Sequence, residues 1–280
     1  VIENVFTAEQ KQAIVRGLRS VMEGRRIQAV RVSDPFILDA VSRRRFERTL
    51  TGRTVRRVWR RGKWVVLELA GGHSAVIQPR MTGGFRTGMD KPPDHSRIHF
   101  RIDGPHRHVW FCDTRRLGRV ALVDEAGLAE KLSSEHHGPE ATDITPAELT
   151  AALGRTRRPI KAALLDQRVV SGIGNIYADE SLFDARIHPE RRSNELTAVE
   201  IRRLCRSIHR IMRLAIDMQG TTMRNYFNVF GEPGSFQDRH RVYGREDEPC
   251  VRCKTSIVRA NIEGLIGRST HYCPECQTKP

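Results

Sequence analysis

The sequence predicts an α+β fold: a strand-rich first half, a helical lobe after it, and a small cysteine-bound module at the end. Three observations carry this. Between Arg26 and Asp113, short β-branched runs ("RIQAVRVSD", "TVRRVWRRGKWVVLEL", "HSAVIQ", "SRIHFRID", "HVWFCD") are separated by Gly, Pro and Asp, as in an antiparallel sandwich or barrel. From about Asp124 the apolar period becomes helical. The end of the chain holds Cys250-x2-Cys253 and Cys273-x2-Cys276 with nineteen residues between the pairs, so two tight turns can aim four thiolates at one tetrahedral ion.

Taken in order, Thr7 to Leu18 opens with a Thr-x-x-Gln capping box and sets Ala13, Ile14 and Leu18 on one face, which predicts a helix. The strand runs follow, with no fixed repeat period. "SSEHHGPEATDIT" reads as an exposed connection. Thr145-Pro-Ala-Glu148 and Thr197-Ala-Val-Glu200 are capping boxes, each announcing a helix. "RRPIKAALLDQRVVSGIGNIYADESLFDARIHPE" predicts two short helices around a Gly-rich turn, and "EIRRLCRSIHRIMRLAID" a longer amphipathic one. Gly220 to Arg245 reads as loop. These signals divide the chain into 1–130, a linker at 131–147, a helical domain at 148–240 and the metal module at 241–280.

With 280 residues the chain is long enough for two lobes, at roughly 100 to 200 residues per domain. No secretory pattern of basic residues and an apolar run stands near residue 1, and no apolar segment approaches the roughly 20 residues of a membrane span. The expectation is a soluble cytosolic protein in a reducing compartment, where paired Cys-x2-Cys favours zinc over disulfides. Cys112 and Cys205 are expected as small buried apolar residues. Forty-eight Lys and Arg against thirty-three Asp and Glu leave a net charge of +15. Arginine is densest from Ser42 to Trp64, and its forked donors suit phosphate, so nucleic acid is the expected partner.

Three stretches then resemble one family, that of formamidopyrimidine-DNA glycosylase and endonuclease VIII, the first-named being the closer. They are "LLDQRVVSGIGNIYADESLF", "GTTMRNYF" with "VYGREDEPC", and the module ending "GRSTHYCPEC"; "RRGKWVVLEL" and "DTRRLGR" extend the likeness over about residues 12 to 278. The resemblance implies a two-layer β-sandwich, a helical lobe with a helix-two-turn-helix, and a zinc-finger β-hairpin around a DNA groove. It implies one structural zinc on Cys250, Cys253, Cys273 and Cys276, damaged double-stranded DNA as the partner, a monomer, and a cytoplasmic, nucleoid-associated location. The implied activity is base-excision repair: oxidised purines, notably 8-oxoguanine and formamidopyrimidines, are removed by base flipping, and the strand is cut at the abasic site.

Extruding a nucleotide costs a few kcal/mol and leaves a void that wedge side chains must fill. By resemblance these are Met81 in "QPRMTGG" and Arg115 with Leu117 in "DTRRLG", although the family usually has Phe where this chain has Leu117. Asn175, after Gly174 at a helix start, would meet a phosphate with its side chain and the free backbone N–H groups, or cap its own helix. Lys63, just past Gly62, would face the groove and bind phosphate or move a proton. His95, Arg157 and Lys161 are further DNA-contact candidates. Arg224 lies in the loop that closes over the flipped base, often with Lys there. "GLIGRSTHYC" would form a hairpin carrying Arg268 to the phosphates flanking the lesion, where it assists elimination.

The start of the chain departs from the pattern. The family's nucleophile is the α-amine of an N-terminal proline followed by glutamate. An α-amine has a pKa near 8 against about 10.4 for lysine, so roughly a hundred times more of it is neutral at pH 7 and able to attack C1′. Aligned on "VRGL", Phe6 stands in the proline's place, Thr7 in the glutamate's and Gln10 where a second glutamate usually sits. Three readings are open: Val1 is the nucleophile with Glu3 as the acid; the protein binds lesions without cutting; or the first dozen residues are not the native start. A zinc-ribbon nucleic-acid protein without lesion chemistry fits the motif set least.

Overall fold

A computed structural model describes residues 8–80, 82–133, 137–221, 227–262, 264–265 and 267–279. These divide into two compact units, one within Val5–Ser133 and Met218–Ser235, the other within Ser134–Asp217 and Phe236–Pro280. The segment 218–235 therefore belongs with the strands, and the cysteine module belongs with the helices.

The first unit is a two-layer β-sandwich. One sheet contains β1 (Ile27–Val32), β6 (Gly83–Thr87), β7 (Ser96–Ile102) and β8 (His108–Asp113) in the order β1-β7-β8-β6. The other contains β2 (Leu38–Asp39), β3 (Val55–Arg61), β4 (Trp64–Leu69), β5 (His73–Gln78) and β9 (Arg119–Asp124) in the order β2-β9-β5-β4-β3. All pairings are antiparallel except the short β2·β9 contact. Strand alternation sends Phe100, Phe111 and Phe85 inward from the first sheet, and Val58, Val65, Leu67 and Ile77 from the second, into a single fully buried core. Helix α1 (Ala8–Met22) adds Ile14, Val15 and Leu18 to that core.

The predicted strand runs fall on β1, β3, β4, β5, β7 and β8. A helix that the pattern of arginines conceals, α2 (Arg43–Leu50), is capped by Ser42 and anchored by Phe46 and Leu50, one turn apart and fully buried. Several guanidinium groups of the Arg-dense stretch are committed internally. Arg53 donates to the carbonyls of Thr49 (2.6 Å) and Ala70 (2.7 Å), Arg43 pairs with Glu47 (2.9 Å), and Arg60 donates to Gln12 (3.0 Å). A short α3 (Glu125–Lys131) ends the sandwich.

The second unit is built on α4 (Pro146–Gly154), α5 (Ile160–Leu165), α6 (Asn175–Ala185) and α7 (Ala198–Asp217). The boxes at Thr145/Glu148 and Thr197/Glu200 close as expected: in each the Thr hydroxyl accepts the Glu N–H and the Glu carboxylate accepts the Thr N–H. The connection expected to be exposed is packed from His137 onward: Gly138 donates to the Gln167 carbonyl at 2.8 Å, and Ala141 to that of Ser171 at 2.9 Å. Helix α7 buries a stripe at Ile201, Leu204, Cys205, Ile208, Ile211, Met212 and Ala215. Helix α6 is buried nearly all round, Asp179 and Glu180 included, so its polar groups need internal partners. The hairpin β10 (Val258–Asn261) and β11 (Ser269–Tyr272) completes the unit. Among the described residues no helix is long and apolar enough to cross a membrane.

Candidate nucleic-acid interface and metal centre

The four cysteines converge. Their sulfurs all lie within 4.8 Å of one another, at 3.9 Å for Cys250–Cys276, 3.3 Å for Cys253–Cys273 and 3.6 Å for Cys253–Cys276. Zinc bound by four thiolates at about 2.3 Å has edges of about 3.8 Å, so this donor set fits a closed tetrahedral site with no open position for a catalytic water. Around it, Phe183, Val242 and Ile257 form a small apolar cluster with Cys250 and Cys273. Arg252, between the first two cysteines, lies over the Phe183 ring (4.3 Å) and donates to the carbonyls of Phe183 (2.8 Å) and Asp184 (3.3 Å). Both carbonyls lie in the last turn of α6, where that of Phe183 also accepts the Arg186 N–H at 3.1 Å, so the knuckle helps cap the helix.

At the other end of α6, two predicted residues meet at one backbone carbonyl, next to a third in the chain. Asn175 Nδ2 donates to Ser269 O at 3.1 Å, and Lys161 Nζ donates to the same oxygen at 2.8 Å. Arg268, half-buried, immediately precedes it. Lys161 is not the external DNA ligand expected from the sequence. It is fully buried, donates to the Thr270 hydroxyl at 3.0 Å and pairs with the fully buried Asp179 at 2.7 Å, because an ammonium this deep must be neutralised. Burial pulls its pKa down, Asp179 opposes this, and the nearby Arg268 adds to the lowering. The second Asp179 oxygen accepts the His271 N–H at 2.9 Å, tying α6 to β11 again. Next along the helix, buried Glu180 accepts the N–H groups of Arg241, Val242 and Tyr243 at 2.9–3.0 Å; burial raises its pKa and these donors resist the rise. Tyr177 is buried against Phe236, with ring centroids 5.2 Å apart. Arg157 is exposed in the α4–α5 turn.

In the sandwich unit a different carboxylate organises the loop that carries Arg115 and Leu117, two of the residues expected as wedges. Asp113, fully buried at the end of β8, accepts from the Thr82 hydroxyl at 2.5 Å and the Gly118 N–H at 2.6 Å. Thr82 in turn accepts the Arg115 N–H at 3.1 Å, and the Asp113 N–H donates to the carbonyl of exposed His95 at 3.0 Å. The Asp113 carboxylate thus joins the β5–β6 turn to the 114–118 loop, and its backbone N–H adds the approach to β7. A Cβ on Gly118 would sit 3.0 Å from the Asp113 carboxylate, so only glycine fits there without displacement. Arg116 has φ +56° and is forked on Asp34 at 2.6 and 3.0 Å, which fixes the loop between exposed Arg115 and half-buried Leu117. Lys63 follows the left-handed Gly62 (φ +51°) in the β3–β4 turn and is 7% exposed. Asp113, Thr82 and Asp34 were not singled out from the sequence; the available signal was an acid at a strand end before a cationic loop.

Val1, Glu3, Met81 and Arg224 lie outside the described residues, as do Phe6 and Thr7. Cys205 is buried, its thiol 3.1 Å from the Ile144 carbonyl. Cys112 is half-buried, and burial pushes its thiol up to about 11.

A strand sandwich, a helical lobe whose central helix begins beside a cationic hairpin, and a four-thiolate centre bracing that hairpin define a zinc-containing protein of the helix-two-turn-helix class. Comparison with known proteins agrees. The profile for the formamidopyrimidine-DNA glycosylase N-terminal domain matches residues 12–120, that for the H2TH domain of the same enzyme matches 137–226, and that for a zinc finger found in FPG and IleRS matches 247–279. The formamidopyrimidine-DNA glycosylase of Chloroflexus aurantiacus is 38% identical over 269 residues, covering 95% of each chain, and that of Bacillus subtilis is 36% identical over 96% of this chain and 97% of its own. The crystal structure of the Thermus thermophilus protein superposes with a TM-score of 0.83 at 36% identity, covering 98% of each chain. The Lactococcus lactis enzyme in complex with DNA containing a benzylated formamidopyrimidine lesion superposes with a TM-score of 0.88 at 29% identity, covering 98% of this chain and all of its own. The chain belongs to the formamidopyrimidine-DNA glycosylase family, and its four cysteines hold one structural zinc ion.

Proposed function

We propose that the chain is a base-excision-repair DNA glycosylase with abasic-site lyase activity, acting on oxidised purines in double-stranded DNA as a nucleoid-associated monomer. The observation that carries the reading is the convergence of Asn175 and Lys161 on the carbonyl that follows Arg268. It ties the N-terminal turn of α6 to the hairpin that carries Arg268, and a helix N-terminus together with a guanidinium suits the phosphates of a kinked strand.

In this reading Asn175, Arg268, Arg157 and His95 bind the backbone, and Lys161 acts behind them as a positioning residue. Met81, Arg115 and Leu117 fill the space left by the extruded nucleotide, and Arg224 faces the flipped base. With Val1 as the nucleophile, its amine attacks C1′ as the damaged base departs with the C1′–N bond electrons and takes up the proton that the amine gives up. Glu3 protonates the sugar-ring oxygen as the ring opens to a Schiff base. Lys63, within its turn, binds phosphate or carries a proton in the elimination. Zinc supplies no chemistry to these steps; it fixes the hairpin that bears Arg268.

Borohydride trapping on an 8-oxoguanine duplex tests the reading. A covalent adduct mapped to Val1 together with strand cleavage is expected. Because Phe6 and Thr7 occupy the family's nucleophile and acid positions, a second reading is a damaged-DNA binder without cleavage. Tight lesion binding with neither adduct nor nick selects it, and equal affinity for lesion and intact duplex overturns both.

A further inference from the structure

Phe36 is left unused by the chemistry above. The residue is 60% exposed, yet the turn that carries it is fixed: Ile37 is fully buried, and Asp34 caps the turn by accepting the Phe36 N–H at 3.2 Å. Single exposed apolar residues are common, but the neighbours here are specific. The Arg116 guanidinium lies 4.9 Å from the ring centroid and that of Arg119 lies 5.3 Å from it. Both arginines flank Leu117, and Asp34, two residues before Phe36, forks onto Arg116. The ring, the cations and the wedge loop are therefore one assembly within the sandwich unit.

A π face bordered by guanidinium groups matches a ligand that carries both flat apolar rings and regularly spaced negative charge, which describes a nucleic-acid strand. An acidic peptide would engage the cations and leave the ring in water. Leu117, the apolar side chain of the same loop, has no π face to offer a base. We propose that Phe36 is a base-stacking contact: a nucleobase of bound DNA lies on its exposed surface beside the Arg115–Leu117 loop, with Arg116 and Arg119 holding the adjoining backbone by their charge. This rests on the glycosylase reading, since it takes that loop to enter DNA.

The test uses the full chain with zinc and an abasic-site duplex, with affinity measured by fluorescence anisotropy across a salt series. Phe36→Ala is expected to weaken binding by about tenfold, the loss of one base stacked on one ring. Phe36→Leu should bind as weakly as Phe36→Ala, and Phe36→Trp should restore affinity. The slope of log affinity against log salt should stay unchanged in all three, because no phosphate contact is removed. Full affinity in Phe36→Ala or in Phe36→Leu overturns the proposal. So does a weakened variant whose salt slope also falls, which would mean the ring only props Arg116. A wild-type protein with no preference for the abasic duplex fails the glycosylase reading itself, a result distinct from a preference that survives Phe36→Ala.

Discussion

Replacing Lys161 with Met isolates the buried ion pair behind the N-terminal end of α6. Lys161 and Asp179 are both fully buried with 2.7 Å between their charged atoms. Removing the ammonium leaves the carboxylate with the His271 N–H at 2.9 Å, and it takes one of the two side-chain donors from the Ser269 carbonyl. Breaking a buried pair from one side costs about 3–5 kcal/mol, because an uncompensated charge stays behind. Pairing the change with Asp179→Asn removes that charge and keeps an acceptor for His271, so Lys161→Met/Asp179→Asn should recover more than half of the loss. Two probes in guanidinium denaturation localise the effect. Trp59, Trp64 and Trp110 all lie in the sandwich unit, so tryptophan fluorescence follows that unit, whereas most of the helical circular dichroism comes from α4–α7. Lys161→Met should lower the midpoint of the dichroism transition and leave the fluorescence transition in place. A loss under about 1 kcal/mol, or a double variant no better than the single one, refutes the argument that Lys161 serves the interior.

Chelating zinc should abolish DNA binding while tryptophan fluorescence remains native, since the sandwich has its own core; binding that survives complete metal removal, checked by metal analysis, contradicts the role given to the hairpin. Asp113→Asn turns one of two acceptors into a donor facing Thr82 or Gly118, so it should cost about 1–3 kcal/mol in the fluorescence-detected transition and weaken lesion binding. Arg157→Ala should weaken binding to lesion and intact duplex alike and reduce the salt slope by about 1, as measured in the same anisotropy titration. His99 is held down to about 4, first by burial and then by the charges of His108, Arg101 and Arg31, from an ordinary value of 6.5. The unfolded chain therefore takes up its proton first, and sandwich stability should be full above about pH 6.5 and fall as the pH drops toward 4. His99→Gln should flatten that part of the stability profile.

Residues that act through local pattern were legible; residues that act through distant partners were not. The two capping boxes, the α7 stripe and the cysteine pairs announce themselves within a few positions, because caps, helical faces and tight turns are short-range geometry. The Asp113 cluster draws on Thr82, His95 and Gly118, and Asp34 reaches Arg116 from 82 residues away in the sequence. No spacing rule links such positions, and an acid among many arginines reads as a surface counter-charge until the fold buries it. Lys161 failed in the same direction: a lysine in a basic, DNA-binding context reads as a ligand, and only its packing against Asp179 and Thr270 makes it internal. Helix α2 was obscured because its charge signal outweighed two buried residues one turn apart.

The role of the metal is also larger than the spacing of its ligands suggests. On α6, Asn175, Asp179 and Phe183 recur every fourth residue and so form one stripe along the helix. Each meets the module: Asn175 at the Ser269 carbonyl, Asp179 at the His271 N–H, and Phe183 under the Arg252 guanidinium. A hairpin held only by its cysteines could position Arg268 and nothing else. One attached along the whole length of a buried helix also sets where that helix begins, so Asn175 and Arg268 move together. The structural zinc therefore governs the placement of both Asn175 and Arg268, the two halves of the proposed phosphate site, through hairpin residues that are not themselves its ligands.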